Sequence, residues 1–380
     1  MKKAIFIIFL LSISATVYAK DAYQSKDLQE LRVLAIINVA AVVDAGGEVI
    51  AGDCEKALIF CCPGHVAVPV GTSGFTNGII VPDAGRNAVT IAFPSDGATI
   101  TDSNVIIKGA VDTTVAVNSV RVLVTTPTNT VGTSYVAQVN GKYFAAQVQL
   151  AAGINTVKAT VMYQNGTQNE TSVTVTDSNQ QAMVKLTASP NVGIPTLKLN
   201  SLTTLDVGFA AVSLLTNPVA SYAWDFNGDG TVDLTCGSLS VVTASFQQPG
   251  LYLPTVTVTD TAGNTYTATV IVNVLDKVQM GDFFTQKWND MKDALSKGEI
   301  SRALGHYAGG AKEVFSQRFS EPDLASALSQ IVTTMGLFRF VNITENMAEC
   351  ELRIVKDGET YSFQVLFIRD PDGNWGILSY

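Results

Sequence analysis

The stretch SYAWDFNGDGTVD, residues 221–233, decides the fold of this chain. In an extended strand, Trp224 and Phe226 point to the same face, where their rings can fill the space between two sheets. Asp225 points to the opposite face, so its carboxylate is free to accept hydrogen bonds from the backbone of the turn that follows. The stretch therefore predicts a core strand of a β-sandwich that leads directly into a polar turn.

Motifs on both sides of this stretch complete a pattern. The chain reads SPNVGIP at residues 189–195, PGLY at 249–252 and TVTVTD at 255–260, with Gly263 after the last of these. In order and spacing the set resembles a PKD domain, the polycystic-kidney-disease-type β-sandwich found on secreted proteases, chitinases and surface-layer proteins. The resemblance covers residues 183–274 and implies a β-sandwich in this part of the chain.

Three residues of this segment either depart from the family pattern or predict a local structure. Asn227 adds a residue where the family often reads W-D-F-G-D-G. Pro254 takes an inward strand position that the family usually gives to Val, and because proline lacks an N–H we expect an edge strand or a bulge there. Tyr252 follows a Pro-Gly turn, so we expect a buried ring with an anchored hydroxyl, as in tyrosine corners.

The preceding segment, residues 88–177, shows a strict period of two. Apolar residues alternate along several short runs, which include Val105 and Ile107, Val120 to Val124, Phe144 to Leu150, and Val157 to Val161. Asn-Gly turns at residues 140–141 and 165–166 separate some of these runs, and such regular spacing is typical of a sandwich. The stretches FPSDG at 93–97 and LAAGINTV at 150–157, with Gly109, resemble an Ig-like or fibronectin-like repeat.

The last segment, residues 276–380, changes period. Apolar residues at helical spacing predict a first helix that ends at Gly298, a second near Tyr307 and a third that begins at Pro322. Four strands then follow at residues 337–343, 348–355, 361–368 and 375–379. Helices followed by an antiparallel sheet predict an α+β domain. In topology and in its closing D-G-x-W strand the segment resembles the cystatin-like cone of the nuclear-transport-factor-like and ketosteroid-isomerase-like superfamily.

The N-terminal residues predict a secretory signal peptide. Lys2 and Lys3 precede an apolar run at residues 4–13, and Val17 and Ala19 occupy the small positions before the cleavage site. The run is too short to span a bilayer, which needs about 20 residues. We therefore expect residues 1–19 to be removed and the mature chain, which has no membrane span, to be periplasmic, extracellular or at the cell surface. Residues 20–87 have no assignable fold.

Charge and composition narrow the classes of partner. The chain has a formal net charge of −9, and removal of Lys2 and Lys3 leaves 22 basic and 33 acidic residues, a net charge of −11. Such a surface repels nucleic acid and anionic lipid, so no nucleic-acid partner is expected. An extracellular or envelope protein, a neutral polysaccharide or a cation is the expected partner.

In the oxidising compartment that an exported protein enters, the cysteines near the N-terminus can form a disulfide. Cys54 can pair with Cys61 or Cys62, whereas a zinc site there lacks the C-x-x-C spacing and has only His65 nearby. Cys350 alternates with apolar residues on an expected strand, which predicts a buried free thiol.

The stretch from Asp225 to Asp233 also matches the start of a calcium loop. Ca²⁺ prefers oxygen ligands, and oxygen-bearing residues stand at alternate positions with Gly230 at the tight turn. The candidate metal ligands are Asp225, Asn227, Asp229, Thr231 and Asp233. The EF-hand glutamate is replaced by Cys236, so a hydrogen-bonded turn without metal is the alternative.

Catalytic motifs are scarce. His65 and His306 lie in different expected domains, and the sequence contains no G-x-S-x-G, H-E-x-x-H or phosphate-binding loop. The C-terminal domain offers one catalytic hypothesis, a pocket whose mouth is lined by Asp282, His306, Tyr307 and Trp375. Tyr135, Tyr143 and Tyr163 are candidates for stacking on sugar rings, although packing at strand edges explains them equally well.

The sequence thus predicts a multidomain, mainly β fold: two tandem Ig-like β-sandwiches followed by an α+β cone-like domain. The expected segments are a signal peptide (1–19), an unassigned region (20–87), an Ig-like or fibronectin-like sandwich (88–177), a PKD-like sandwich (181–275) and the α+β domain (276–380). The favoured function is non-enzymatic binding of protein or polysaccharide and spacing between modules. The alternatives are an enzyme or accessory subunit with a small-molecule pocket in the C-terminal domain, and a structural subunit of an envelope assembly.

Overall fold

The computed structural model describes residues 65–67, 75, 79–82, 88–180, 182–198, 203–237, 240–356 and 358–379. The chain divides into two compact units, Met1–His65 and Val66–Tyr380, and the described structure belongs almost wholly to the second. The expected signal peptide and the pairing of Cys54, Cys61 and Cys62 lie outside the described residues. A short strand, β1 (His65–Ala67), is the first described element.

The first sandwich consists of two antiparallel-rich sheets that enclose an apolar core. Its described strands are β2 (Val89–Phe93), β3 (Thr99–Asp102), β4 (Asn104–Val111), β5 (Val117–Thr125), β6 (Thr133–Val136), β7 (Gln138–Asn140), β8 (Tyr143–Gln149), β9 (Gly153–Tyr163) and β10 (Gln168–Gln180). One sheet has the order β2-β4-β8-β7 and the other β3-β10-β9-β5-β6. The period-two apolar pattern explains the core, because Ile107, Val122, Phe144 and Val161 all face inward and are fully buried.

The second sandwich follows without a long linker. Its described strands are β11 (Val184–Ser189), β12 (Val192–Gly193), β13 (Thr196–Leu197), β14 (Thr203–Ser213), β15 (Val219–Asp225), β16 (Leu234–Cys236), β17 (Val241–Phe246), β18 (Gly250–Tyr252), β19 (Thr255–Asp260), β20 (Thr265–Thr269) and β21 (Val272–Val274). The sheets have the orders β1-β17-β14-β11, with β13 beside β14, then β16-β15-β19-β20 and β12-β21-β18.

The core of the second sandwich is built on an aromatic pair, Trp224 in β15 and Phe226 just after its end. Trp224 and Phe226 are both fully buried, and their rings stack with centroids 5.9 Å apart at an interplanar angle of 12°. Phe209 of β14 packs against both rings, at 6.3 Å and 5.6 Å. The predicted orientation of Trp224 and Phe226 into the space between the sheets is confirmed.

The predictions for Tyr252 and Pro254 have different outcomes. The Tyr252 hydroxyl donates a hydrogen bond to the Gln248 carbonyl oxygen at 2.9 Å while its ring is buried, which confirms the anchored tyrosine. The expected edge strand or bulge at Pro254 is wrong. Pro254 instead lies between β18 and β19, which belong to different sheets, and its carbonyl accepts a hydrogen bond from the Val270 N–H at 3.0 Å. Because the chain leaves one sheet here, the missing N–H of proline costs no ladder bond.

The C-terminal domain packs helices on one face of an antiparallel sheet. Its elements are α1 (Lys277–Ser296), α2 (Ile300–Leu304), α3 (Gly309–Phe319), α4 (Pro322–Thr334), β22 (Leu337–Ile343), β23 (Met347–Lys356), β24 (Glu359–Arg369) and β25 (Trp375–Ser379). Phe284 and Trp288 of α1 stack on Phe340 and Phe338 of β22, with ring centroids 5.5 Å and 5.0 Å apart. The expected α+β order is confirmed, and Cys350 is a buried free thiol.

Helix α3 was not predicted. It begins at the pair Gly309-Gly310, whose low helix propensity hides the helix from a pattern search. Phe315 and Phe319 pack against Tyr307, with centroids 4.6 Å and 6.1 Å from its ring. Tertiary packing therefore supplies the stability that local propensity lacks. No helix among the described residues is long and apolar enough to cross a membrane.

Direct contacts hold the first sandwich against the second. The Asn140 side-chain amide donates to the Asn273 side-chain oxygen at 2.9 Å and to the Val274 carbonyl at 2.8 Å. The amide of the buried Asn273 in turn donates to the Val139 carbonyl at 3.1 Å. A small apolar group, which we call the junction cluster, lies beside this pair and consists of Phe75, Ala145, Leu251 and Ile271.

The C-terminal domain also contacts the first sandwich, which lies far from it in sequence. The turn between β24 and β25 places Asn374 against β5, where the Asn118 side chain donates to it at 2.6 Å and the Ser119 hydroxyl at 3.0 Å. Arg121 forms an ion pair with Asp372 beside these bonds. We call these contacts the hairpin latch.

The Trp224 side chain should be essential to the stability of the second sandwich. Replacement by alanine removes a fully buried ring and its contacts, so we expect Trp224→Ala to lower the free energy of unfolding by about 3–5 kcal/mol. Trp224→Phe keeps an aromatic ring and removes the buried indole N–H, for which the described residues supply no hydrogen-bond acceptor, so the loss of stability should be much smaller. Urea unfolding followed by circular dichroism measures both, and equal losses would contradict the prediction.

Candidate functional site: a groove between two sandwiches

An open groove lies between the first and second sandwiches. Its volume is about 1370 Å³. Residues of β3, β4 and β8 form one side, and residues of β11 and β20 form the other. Ile106 and Leu253 line it as well and also pack against the junction cluster, so the groove and the cluster are adjacent. Ligand sites occur preferentially at such boundaries between domains.

The lining combines uncharged polar groups with few charges. Gln147, Gln149, Asn104 and the hydroxyls of several threonines contribute amides and hydroxyl groups. Lys108 is half-buried, and its ammonium lies over the ring of Phe93, 5.8 Å from the ring centroid. Burial lowers the pKa of the Lys108 side chain.

A bulge and a glycine place Lys108 beside Phe93. The register of β2 against β4 shifts between Ile91 and Phe93, so that Phe93 stands opposite Lys108 while Ile91 stands opposite Gly109. A Cβ atom at Gly109 would lie 2.0 Å from the Thr90 carbonyl oxygen and 2.6 Å from the Phe144 ring. Only glycine permits this approach of the two strands, and the Phe93–Lys108 pair at the groove depends on it.

The candidate metal loop closes on its own backbone. The two carboxylate oxygens of Asp225 accept hydrogen bonds from the Gly228 and Gly230 N–H groups at 2.7 Å and 2.8 Å. The Asn227 side-chain oxygen accepts from the Asp229 N–H at 2.9 Å, and Asp229 accepts from the Thr231 N–H at 2.7 Å. This confirms the predicted role of Asp225 as an acceptor for turn amides.

Asp233 is the carboxylate of this loop whose charged form is disfavoured. It accepts a hydrogen bond from the Phe226 N–H at 2.7 Å. Burial, together with the charges of Asp225 and Asp229, nevertheless raises the pKa of Asp233. The pKa of Asp229 is lowered instead, by hydrogen bonds from the Thr231 backbone and the Asn227 amide. Within the described ranges, no cluster of three or more His, Cys, Asp or Glu side chains is arranged to hold a metal ion.

The residues expected around a C-terminal pocket do not form one mouth. Tyr307 and Trp375 belong to the core of the domain, where the Trp375 ring lies 5.4 Å from that of Phe284. His306 is half-buried, and burial with the nearby charge of Lys287 lowers its pKa. Asp282 is exposed on α1. The side chain of His65 lies outside the described residues.

The tyrosines proposed for sugar stacking do not form a common platform. Tyr163 is buried, so its interpretation as a sugar-stacking residue is wrong. Burial and the charge of Asp112 also raise the pKa of its hydroxyl to about 12. Tyr143 packs edge-on against Phe75, with ring centroids 6.1 Å apart. The Tyr135 hydroxyl accepts a hydrogen bond from the Gln149 N–H at 3.2 Å. Packing therefore accounts for all three side chains.

Sequence reasoning missed the residues that shape the groove. Phe75 lies in the region that had no assignable fold, and Asn140 was interpreted only as part of a turn. Asn273 stands in the valine-rich strand β21, where a buried polar residue that needs partners was the available clue.

Comparison with known proteins defines one of the modules. Residues 194–274 match the sequence profile of a family described as "PKD domain". The second sandwich is a PKD domain. The match confirms the resemblance inferred from the Trp224 and Tyr252 motifs, and it covers about a fifth of the chain. No curated protein is significantly similar in sequence to the chain.

Several solved structures resemble parts of the chain at low identity. Fibronectin(III)-like modules of Clostridium thermocellum CbhA are 16% identical, covering 50% of this chain and 94% of theirs. A 1.5-MDa bacterial ice-binding adhesin is 14% identical over 78% of this chain and 87% of its own. A Ca²⁺-stabilized adhesin of an Antarctic bacterium is 13% identical over 78% and 72%. The TM-score is 0.20 in each case, which is too low for a functional comparison.

The raised pKa of Asp233 predicts a pH-dependent effect on stability. A carboxyl group whose folded-state pKa is raised contributes stability at low pH and loses that contribution as the pH rises through the folded pKa. We therefore expect Asp233→Asn, which keeps a hydrogen-bond acceptor for Phe226, to be more stable than the wild type at neutral pH. The difference should shrink on acidification. Asp229→Asn should have the opposite sign at neutral pH, because the pKa of Asp229 is lowered. Urea unfolding at neutral and acidic pH measures both, and a shared sign would contradict the assignment.

Proposed function

We propose that this chain is an exported, non-enzymatic binding protein that holds a protein or polysaccharide of the envelope or cell surface in the groove between its two sandwiches. The groove is the observation that carries the proposal. It is open, lies between two modules, and is lined mostly by amides and hydroxyls that can form hydrogen bonds with the polar groups of a polymer.

The fixed arrangement of the modules supports this proposal. A groove between two freely moving domains would lose its shape, and ordering it on binding would cost affinity. The Asn140–Asn273 bonds, the junction cluster and the hairpin latch hold the modules in one relation before any ligand arrives. The proposed domain boundaries at residues 88–177, 181–275 and 276–380 therefore separate modules that act together.

The proposed location and the absence of catalysis rest on other observations. The expected signal peptide at residues 1–19 and the net negative charge suit an exported protein that binds neither nucleic acid nor anionic lipid. In the C-terminal domain, Tyr307 and Trp375 fill the core instead of lining a pocket. This packing favours a binding role over the alternative of a small-molecule enzyme.

A bulky residue in the groove tests the proposal. Thr267 and Thr265 are both exposed on β20, but only Thr267 lines the groove. We expect Thr267→Trp to weaken retention of the mature protein on envelope protein or cell-wall glycan fractions by about tenfold or more, measured by pull-down. Thr265→Trp places the same side chain on the same strand outside the groove and should bind like the wild type. Equal retention of all three proteins would remove the groove from the function.

Calcium binding in the Asp225–Asp233 loop is a second proposal. It is supported by the charges of Asp225 and Asp229, which help to raise the pKa of Asp233 and which a divalent cation would offset. An ion held there would stiffen the PKD domain and take no part in catalysis.

Calorimetric titration with calcium distinguishes a loop that binds calcium from a hydrogen-bonded turn without metal. Bound calcium would give a heat of binding in the wild type and none in Asp229→Ala, and would raise the unfolding temperature of the wild type alone. No heat in either protein would leave the hydrogen-bonded turn as the sole role of the loop.

A further inference from the structure

Three sheet edges border the groove. Among the described strands, β3 is the last strand of its sheet in the first sandwich, and its one partner is β10. In the described part of the second sandwich, β11 and β20 are the last strands of two different sheets, where they pair with β14 and β19 respectively. Residues of all three strands line the groove. An edge strand carries backbone N–H and C=O groups with no partner in its own sheet, and these groups can pair with an added strand.

Strand β3 is the most accessible of the three edges. All four of its residues, Thr99–Asp102, line the groove. Thr99 and Thr101 are exposed, and β3 lies parallel to β10 on its other side. Its residues alternate between threonine and a partly buried residue, so an added strand would meet hydroxyl groups on one face and the groove floor on the other.

The charge of the groove is opposite to that of the whole chain. Lys108 and Lys185 line it, and Asp102 is the single acidic residue in its described lining. Asp102 already accepts a hydrogen bond from the Asn104 N–H at 2.8 Å. The chain as a whole carries a net charge of −9. A locally basic groove on an acidic protein favours an occupant that carries a carboxylate.

The aromatic content of the groove does not favour a sugar. Recognition of pyranose rings uses exposed aromatic faces, and Phe93 is the only aromatic side chain in the described lining. The ammonium of Lys108 already lies over the ring of Phe93. The described lining therefore offers a single ring, one face of which is already covered by an ammonium group, whereas it includes residues of three edge strands.

We propose that the groove binds an extended, acidic segment of a partner protein, which adds to edge strand β3 as a further β-strand and places a carboxylate against Lys108. Backbone hydrogen bonds to β3 supply affinity that depends little on sequence, and the contact with Lys108 supplies selectivity for an acidic residue. This inference rests on the proposed binding function and specifies the class of its ligand.

An array of blocked nine-residue peptides provides the probe. Val or Ile alternates with Thr or Ser in every peptide, and the central residue is Glu, Gln or Lys. We expect the full mature chain to be retained best by the Glu peptides. Lys108→Gln should weaken binding of the best Glu peptide by about tenfold and leave its Gln counterpart unchanged. Lys142→Gln is the matched control, because Lys142 also lies over an aromatic ring, that of Tyr143, but outside the groove.

Two further measurements test the mode of binding. Methylation of alternate backbone nitrogens in the best Glu peptide should abolish binding, because the added strand loses its donors. Hydrogen–deuterium exchange should show new protection of backbone amides in residues 99–101 when the unmethylated peptide binds. Protection elsewhere, or equal binding of Glu and Gln peptides, would overturn the proposal.

A neutral glucan oligosaccharide separates this inference from the function on which it rests. Binding of the glucan without binding of any acidic peptide, lost in Thr267→Trp, would overturn the peptide assignment and leave the groove as a binding site. If neither probe binds and Thr267→Trp retains envelope fractions as well as Thr265→Trp does, both proposals fail.

Discussion

The hydrogen bonds between Asn140 and Asn273 are the constraint on which the rest of the described structure depends. Asn273 is buried, so each of its polar atoms needs a partner, and a buried amide left unpaired costs about 1–3 kcal/mol. The partners are available only while β7 of the first sandwich lies against β21 of the PKD domain. The shape of the groove and the position of its three edge strands follow from this single relation between the sandwiches.

The apolar and polar parts of the junction have different roles. The junction cluster, with Phe75 at its centre, removes apolar surface from water but would tolerate several orientations, because the hydrophobic effect is non-directional. The hydrogen bonds between Asn140 and Asn273 form in only one orientation of the two sandwiches. A directional contact of this kind fixes the relation between the two sandwiches that share the groove.

The sequence revealed each module better than it revealed the site. Period-two alternation located the strands of both sandwiches, and the Trp224–Phe226 pair identified the core strand of the PKD domain, because these patterns are local. Helix α3 was not predicted because its glycine pair has low helix propensity. The packing of Phe319 against Tyr307 stabilises the helix instead. The groove could not be predicted, since Asn140 and Asn273 lie 133 residues apart and no local pattern relates them.

The hairpin latch has a consequence for how this protein can change over generations. Modules of the PKD and Ig-like kinds are commonly regarded as interchangeable units, yet here Asn118 and Ser119 of the first sandwich bond to Asn374 of the last domain. Exchange of either module alone would leave these groups facing a surface that does not match them, as it would for Arg121 and Asp372. Joint inheritance of the first sandwich and the C-terminal domain preserves these contacts, whereas recombination that replaces one of the two removes them.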